Sequence, residues 1–205
     1  MRARFLISAF ILVVSAATAS AQTDVALSLY GAFSGTTSVG GATVSPANSA
    51  GGMFELRHIA NPILGFEGTY SFNRANETYT STVAVTCPIG VTCPTTARVA
   101  ANAHEITVDW VPSVHVANFR PFGVLGVGAL LNVPQTGQTS VETQTSTKAV
   151  YVYGAGLDWG LVPHIGLRLQ YRGNLYKTPD VTKLFTSIDS FRHTAEPMIG
   201  IYFRL

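Results

Sequence analysis

Many of the charged residues in this chain stand two or four apart, with apolar residues at the odd steps between them, as in Glu55-Leu-Arg57, Glu105-Ile-Thr-Val-Asp109 and Arg168-Leu-Gln-Tyr-Arg172. Side chains two apart share one face of a β-strand. Read this way, Glu55, Arg57, Glu67, Glu105, Asp109, Asp158, Arg168, Gln170, Arg172 and Arg204 form one polar set of nearly balanced sign. Such a set would form salt bridges when enclosed, and would line a solute path only where pairs separate. Acid–base or nucleophilic chemistry needs a different arrangement, a nucleophile and a base oriented toward each other by a third group. Ser190 with His193, His104 with Glu105, and Ser113 with His115 are the available pieces. Neighbours such as His104 and Glu105 point to opposite faces of a strand, and the other two pairs have no identifiable acid. The glycines between Phe122 and Ala129 follow a strand pattern rather than a phosphate-binding turn. No catalytic residue, metal site or cofactor is expected.

The elements that would position the polar set are strands. Val25, Leu27, Leu29 and Phe33 alternate with Ala26, Ser28, Tyr30 and Ala32, and comparable alternation recurs at about 52–59, 64–72, 103–111, 122–131, 149–159, 165–171 and 193–205. Eight strands result. Their connections alternate long and short, with the long ones at roughly 34–50, 73–102, 132–148 and 174–192, read as polar, patternless loops. Barrels of the bacterial outer membrane keep short turns on the periplasmic side and long loops outside. Tyr70, Phe72, Tyr151, Trp159 and Tyr171 fall near strand ends on the apolar face, where an interfacial aromatic girdle belongs. A soluble lipocalin-like carrier of eight strands would show the same period with the faces exchanged.

The two ends of the sequence bear on compartment. Arg2 and Arg4 precede an apolar run from Phe5 to Val14, and Ala19-Ser20-Ala21 offers small residues for a signal peptidase, so residues 1–21 read as a cleaved signal peptide and 22–205 as one domain. Cleavage would remove two of the 13 basic residues and none of the 11 acidic ones, leaving a neutral chain with no electrostatic case for nucleic acid. Export would carry Cys87 and Cys93 into an oxidising compartment, where a local disulfide is expected. At the other end, Met198-Ile-Gly-Ile-Tyr-Phe-Arg-Leu205 alternates to the last residue. The pattern Gly200-x-x-Phe203-x-Leu205 resembles the carboxy-terminal signal read by the barrel-assembly machinery, with Leu205 where an aromatic residue is usual.

Tyr153-Gly-Ala-Gly-Leu-Asp-Trp159, His164-Ile-Gly-Leu-Arg-Leu-Gln-Tyr-Arg172 and Tyr176-Lys-Thr-Pro-Asp180 resemble the bacterial outer-membrane β-barrel domain family, whose members look like small OmpA/OmpX-type barrels. The resemblance implies an all-β, eight-stranded antiparallel up-and-down transmembrane barrel in the outer membrane, and it brings no cofactor or catalytic residue with it. The expected role is structural or surface-interacting, with outer-membrane lipids around the wall, a surface ligand on the long loops, and a side-chain-filled interior. A narrow nonspecific pore is the alternative, ahead of a lipid-modifying enzyme or a soluble carrier.

Overall fold

The computed structural model describes residues 21–39, 41–81, 95–135, 142–182 and 190–205. The signal segment, apart from Ala21, and the Cys87–Cys93 disulfide expected from the sequence lie outside these residues. The strands are β1 Gln22–Ser34, β2 Thr37–Val39, β3 Ala42–Pro46, β4 Ser49–Ile59, β5 Gly65–Arg74, β6 Glu77–Ser81, β7 Thr96–Val99, β8 Ala101–Trp110, β9 Phe119–Pro134, β10 Ser146–Val162, β11 Ile165–Lys177 and β12 Phe191–Arg204. Eight of them close in the order β1-β12-β11-β10-β9-β8-β5-β4, with β1 also pairing to β4. Every neighbouring pair is antiparallel.

Strict alternation explains the closure. On β12 every even-numbered residue from Arg192 to Tyr202 is buried, while Ile199, Ile201 and Phe203 are exposed on the opposite face. On β1, Asp24, Ala26, Ser28 and Tyr30 turn inward and Leu27 and Leu29 turn outward, Leu29 remaining 71% exposed. An apolar band that no protein covers is the face that hydrocarbon covers. At its lower edge Phe119 stacks on Trp159 with ring centroids 6.0 Å apart, and Trp110 Nε1 donates to the Ile63 carbonyl at 2.6 Å. Tyr70 with His104, and Tyr153 with His193, form outward-facing hydrogen-bonded pairs at 2.9 Å toward the other edge. Tyr171 stands at the centre of β11 rather than near a strand end, because that strand continues to Lys177.

The turns at 60–64, 111–118 and 163–164 are short. Asn61 Oδ1 accepts from the amides of Ile63 and Leu64 at 3.0 and 2.8 Å, so the Asn-Pro turn is held by its own side chain. The long connections are not the patternless loops expected. β2, β3, β6 and β7 form a second antiparallel sheet in the order β2-β3-β6-β7. Its core is small: Val44, Tyr79, Ala97 and Val99, joined by Val181 from the connection after β11. Threonines at 37, 43, 78, 80 and 96 supply β-branched side chains suited to a pleated surface, although a Ser/Thr-rich composition reads as loop.

Strand extents set the depth of each outward residue. Leu167 is only the third residue of β11, near the periplasmic edge, and not mid-strand as the shorter expected strand would place it. Ile199 stands five residues above the lower end of β12 and its partner Leu29 seven above that of β1, roughly 13–18 Å up strands tilted by ~40°. Leu29→Arg or Ile199→Arg is therefore expected to cost ~2–4 kcal/mol of insertion free energy, against ~0–1 for Leu167→Arg. The check is the fraction of each variant that refolds into lipid to the compact species with boiling-dependent gel mobility.

Candidate functional site: the barrel lumen

Eight strands leave an interior only as wide as their side chains, so whatever the inward face carries must pack together. Arg57 on β4 donates through Nε to Glu67 Oε2 at 2.6 Å and through Nη1 to Asp158 Oδ2 at 3.3 Å. Arg168 on β11 donates to Asp158 Oδ1 at 2.7 Å and Glu67 Oε2 at 3.2 Å, and also bonds Glu55. One level higher, Arg172 bonds Asp109 at 2.8 Å and Thr107 Oγ1 at 3.1 Å, and stands 3.8 Å from Glu105. The side chains of Arg57, Arg168 and Arg172 are fully enclosed, as are those of Glu55, Glu67, Asp109 and Asp158. The Phe122 ring lies under the guanidiniums of Arg57 and Arg168, with Cζ atoms 4.0 and 5.5 Å from its centroid. Cations stacked on a ring recover attraction that water would otherwise supply.

Of the polar set drawn from sequence, Glu55, Arg57, Glu67, Glu105, Asp109, Asp158, Arg168 and Arg172 are thus brought together. Gln170 faces inward and is buried, with neither amide atom hydrogen-bonded. Arg204 is only half-buried at the lower rim and joins none of the ion pairs among the described residues.

Alternation also reaches residues that the shorter expected strands left out. Asp24 continues the inward series of β1, and Arg120 that of β9. Arg120 bonds both Asp24 and Asp158, the latter at 2.6 Å. Asn174 on β11 donates to both Glu105 oxygens at 3.0 and 3.2 Å. Arg192 on β12 bonds Glu77 of β6 at 2.5 Å and so ties the outer sheet to the barrel mouth. Beside that tie, burial and the Glu77 carboxylate raise the Tyr79 phenol above its ordinary pKa, and its hydroxyl donates to Glu77 at 2.7 Å. Among the described residues the buried set is not balanced: it holds eight carboxylates, including Glu77 and Glu196, against five arginines.

The residues considered for catalysis fall elsewhere. His104 points outward to Tyr70 while Glu105 points into the lumen. His193 points outward to Tyr153, and the Ser190 carbonyl accepts from the Thr178 amide at 2.9 Å. Ser113 is buried at a bridge to Phe122 rather than solvated, and His115 is exposed. Among the described residues no three His, Cys, Asp or Glu side chains are grouped to hold a metal ion.

The seam between β1 and β12 gives Gly200 a packing role. A Cβ there would meet Ser28 Oγ at 2.1 Å and the Leu27 carbonyl oxygen at 2.7 Å, so the two strands meet this closely only at a glycine. Phe203 and Leu205 face outward, and the Leu205 amide donates to the Thr23 carbonyl at 2.9 Å.

A closed eight-stranded antiparallel barrel, apolar outside and charged within, with short turns at one end, is a transmembrane barrel of the outer-membrane class. The chain belongs to the outer membrane protein beta-barrel domain family, whose model matches residues 6–191. Its fold is shared by the crystal structure of Neisserial surface protein A, at 14% identity and a TM-score of 0.55, covering 90% of this chain and 98% of that one. The outer membrane protein OprG from Pseudomonas aeruginosa shares it at 11% identity and a TM-score of 0.56, over 91% and 97% of the two chains. Ail, the attachment invasion locus protein of Yersinia pestis, crystallised with the heparin analogue sucrose octasulfate, shares it at 14% identity and a TM-score of 0.51, over 90% and 99%. No curated protein matches the chain.

Arg168 touches three carboxylates in an enclosed interior. Removing one partner of such a network strands the others, so Arg168→Ala is expected to lose about 3–5 kcal/mol of stability. The temperature at which the barrel loses its compact gel mobility measures the loss.

Proposed function

We propose that this outer-membrane barrel is a structural and surface-interacting protein whose lumen is plugged by its own side chains. The observation that carries the reading is the Arg57–Glu67–Arg168–Asp158 network, enclosed on every side and bonded across the lumen from β4, β5, β10 and β11. A water path through this level requires those pairs to part, and uncompensated charge opposes that. The reading is non-catalytic: the serines and histidines considered above are not assembled into a nucleophile–base pair, and the buried acids are engaged mainly by arginines. The outer sheet of β2, β3, β6 and β7, set on a rigid wall, is the part suited to meet a surface ligand. Lipids of the outer membrane would surround the apolar band.

Planar-bilayer recording tests the plug. Wild-type protein is expected to give no steady current, and Arg168→Ala to raise the frequency of brief openings; sustained wild-type conductance would establish the pore instead.

Residues 1–21 act, in this reading, as a cleaved signal peptide, and the assembly machinery recognises Gly200, Phe203 and Leu205. Leu205 is 77% exposed and contributes little packing, whereas Gly200 is needed for the seam. Leu205→Asp should therefore reduce the amount of barrel assembled in cells while leaving refolding in detergent unchanged. Gly200→Val should impair both. Equal behaviour of Leu205→Asp in the two settings would remove the assembly role. Cys87 and Cys93 are proposed to pair after export, which a mass difference on alkylation before and after reduction would reveal.

A further inference from the structure

The upper lumen, beneath the outer sheet, encloses a cavity of about 40 Å³ whose wall includes Glu77, Glu105, Asn132, Asn174, Arg192 and Glu196. That is room for about three water molecules. Its charges do not cancel. Arg192 is engaged by Glu77 at 2.5 Å, and Arg172, the arginine nearest Glu105, is already bonded to Asp109 at 2.8 Å. Glu196 is 5% exposed and joins none of the ion pairs among the described residues, and its Oε2 has no hydrogen-bond partner. A second set of atoms, independent of the acids, is unsatisfied on the same cavity: Asn174 Oδ1, on a residue 1% exposed, and Asn132 Nδ2, on one 3% exposed.

Water in the cavity can satisfy the Asn132 amide, but Glu196 Oε2 and Asn174 Oδ1 are both acceptors, and Arg172, opposite Glu196 across the β11–β12 pairing, is bonded to Asp109 rather than to Glu196. We propose that this cavity binds one small, hard cation, of alkali-metal or ammonium size, held by Glu196 Oε2 and Asn174 Oδ1 and completed by water. Glu105 supplies the neighbouring negative charge, and water bonded to the cation occupies the space facing Asn132 Nδ2. The donor set is oxygen throughout, as a hard cation requires. It lacks the three grouped ligands that a chelated divalent ion needs, so the bound ion is monovalent and partly hydrated. Pro46, Ala47 and Pro179 form the part of the wall above the barrel strands, which makes the outer face the side of entry. The site goes beyond the plug reading, since it lies above the arginine network and stands whether or not that network conducts.

The test compares the unfolding midpoint of the whole refolded barrel in detergent in sodium chloride and in tetramethylammonium chloride at one concentration. Tetramethylammonium carries the same charge and is too large for a cavity of about three waters. The midpoint is expected to be higher in sodium, and ammonium should behave as sodium does. Glu196→Gln should abolish the difference, and Asn174→Ser, which keeps the charge and shortens the oxygen ligand, should reduce it. Asp180→Asn, a substitution outside the cavity, should retain it in full. Equal midpoints for the wild type in the two salts would overturn the proposal, as would a sodium effect that survives Glu196→Gln. If Glu196→Gln does not refold, loss of the sodium effect in Asn174→Ser supports the site and full retention there refutes it.

Discussion

Closure at eight strands is the constraint on which the rest of this protein depends. It fixes the lumen at a width that inward side chains must fill, and the wall has no free edge to relax into solvent. Every second residue of eight strands must therefore find partners inside, and the chain meets that demand with interlocked ions as well as with hydrocarbon. Asp158 illustrates the solution: it faces Arg57, Arg120 and Arg168 together, so one carboxylate joins β4, β9 and β11 to β10. Ionic contacts of this kind are sensitive to geometry. They fix which strand lies opposite which, where a greasy lumen would tolerate several arrangements.

The same demand changes character with height. Near the periplasmic side arginines and acids interlock over Phe122 and Tyr202, which place ring faces beneath the guanidiniums. Toward the outer mouth, aliphatic and amide side chains such as Leu130, Asn132 and Asn174 stand beside a single arginine, Arg192, and the packing loosens into a cavity. The outer sheet is attached above this looser region by Glu77 on Arg192 and by the Tyr79 hydroxyl on the Pro179 carbonyl at 3.0 Å. A dense base and an open top give the molecule a rigid support for a surface built of short strands.

The barrel was legible because its signal is periodic: Ile106, Val108 and Trp110 against Glu105, Thr107 and Asp109 leaves little choice of structure. Strand ends were less legible. Pro121 lies within β9 and reads as punctuation, which hid Arg120, and Arg192 falls one residue before the expected start of the last strand, although both keep the parity of their strands. The outer sheet was not legible at all, since β2 has three residues and β7 four, too few for a pattern to emerge from Ser/Thr-rich sequence. Partnerships were beyond reach for another reason. Parity shows that Glu196 and Glu105 both point inward, but that both lie within reach of one arginine, Arg172, which bonds Asp109 instead, comes from register and height in the barrel.

The seam between β1 and β12 joins Asp24 to Arg204 and Ser28 to Gly200 across nearly the whole length of the chain. All the other barrel pairings join strands that follow one another along the wall, whereas this one must wait for both flanks of the sheet to arrive. Loop closure over so long a span is entropically the slowest contact to form. Until it does, β1 and β12 each carry an unpaired edge. The seam therefore works as a completeness gauge: a chain stalled or cleaved anywhere before β12 keeps an open edge, remains adhesive to other strands, and is distinguishable from a finished barrel by that edge alone.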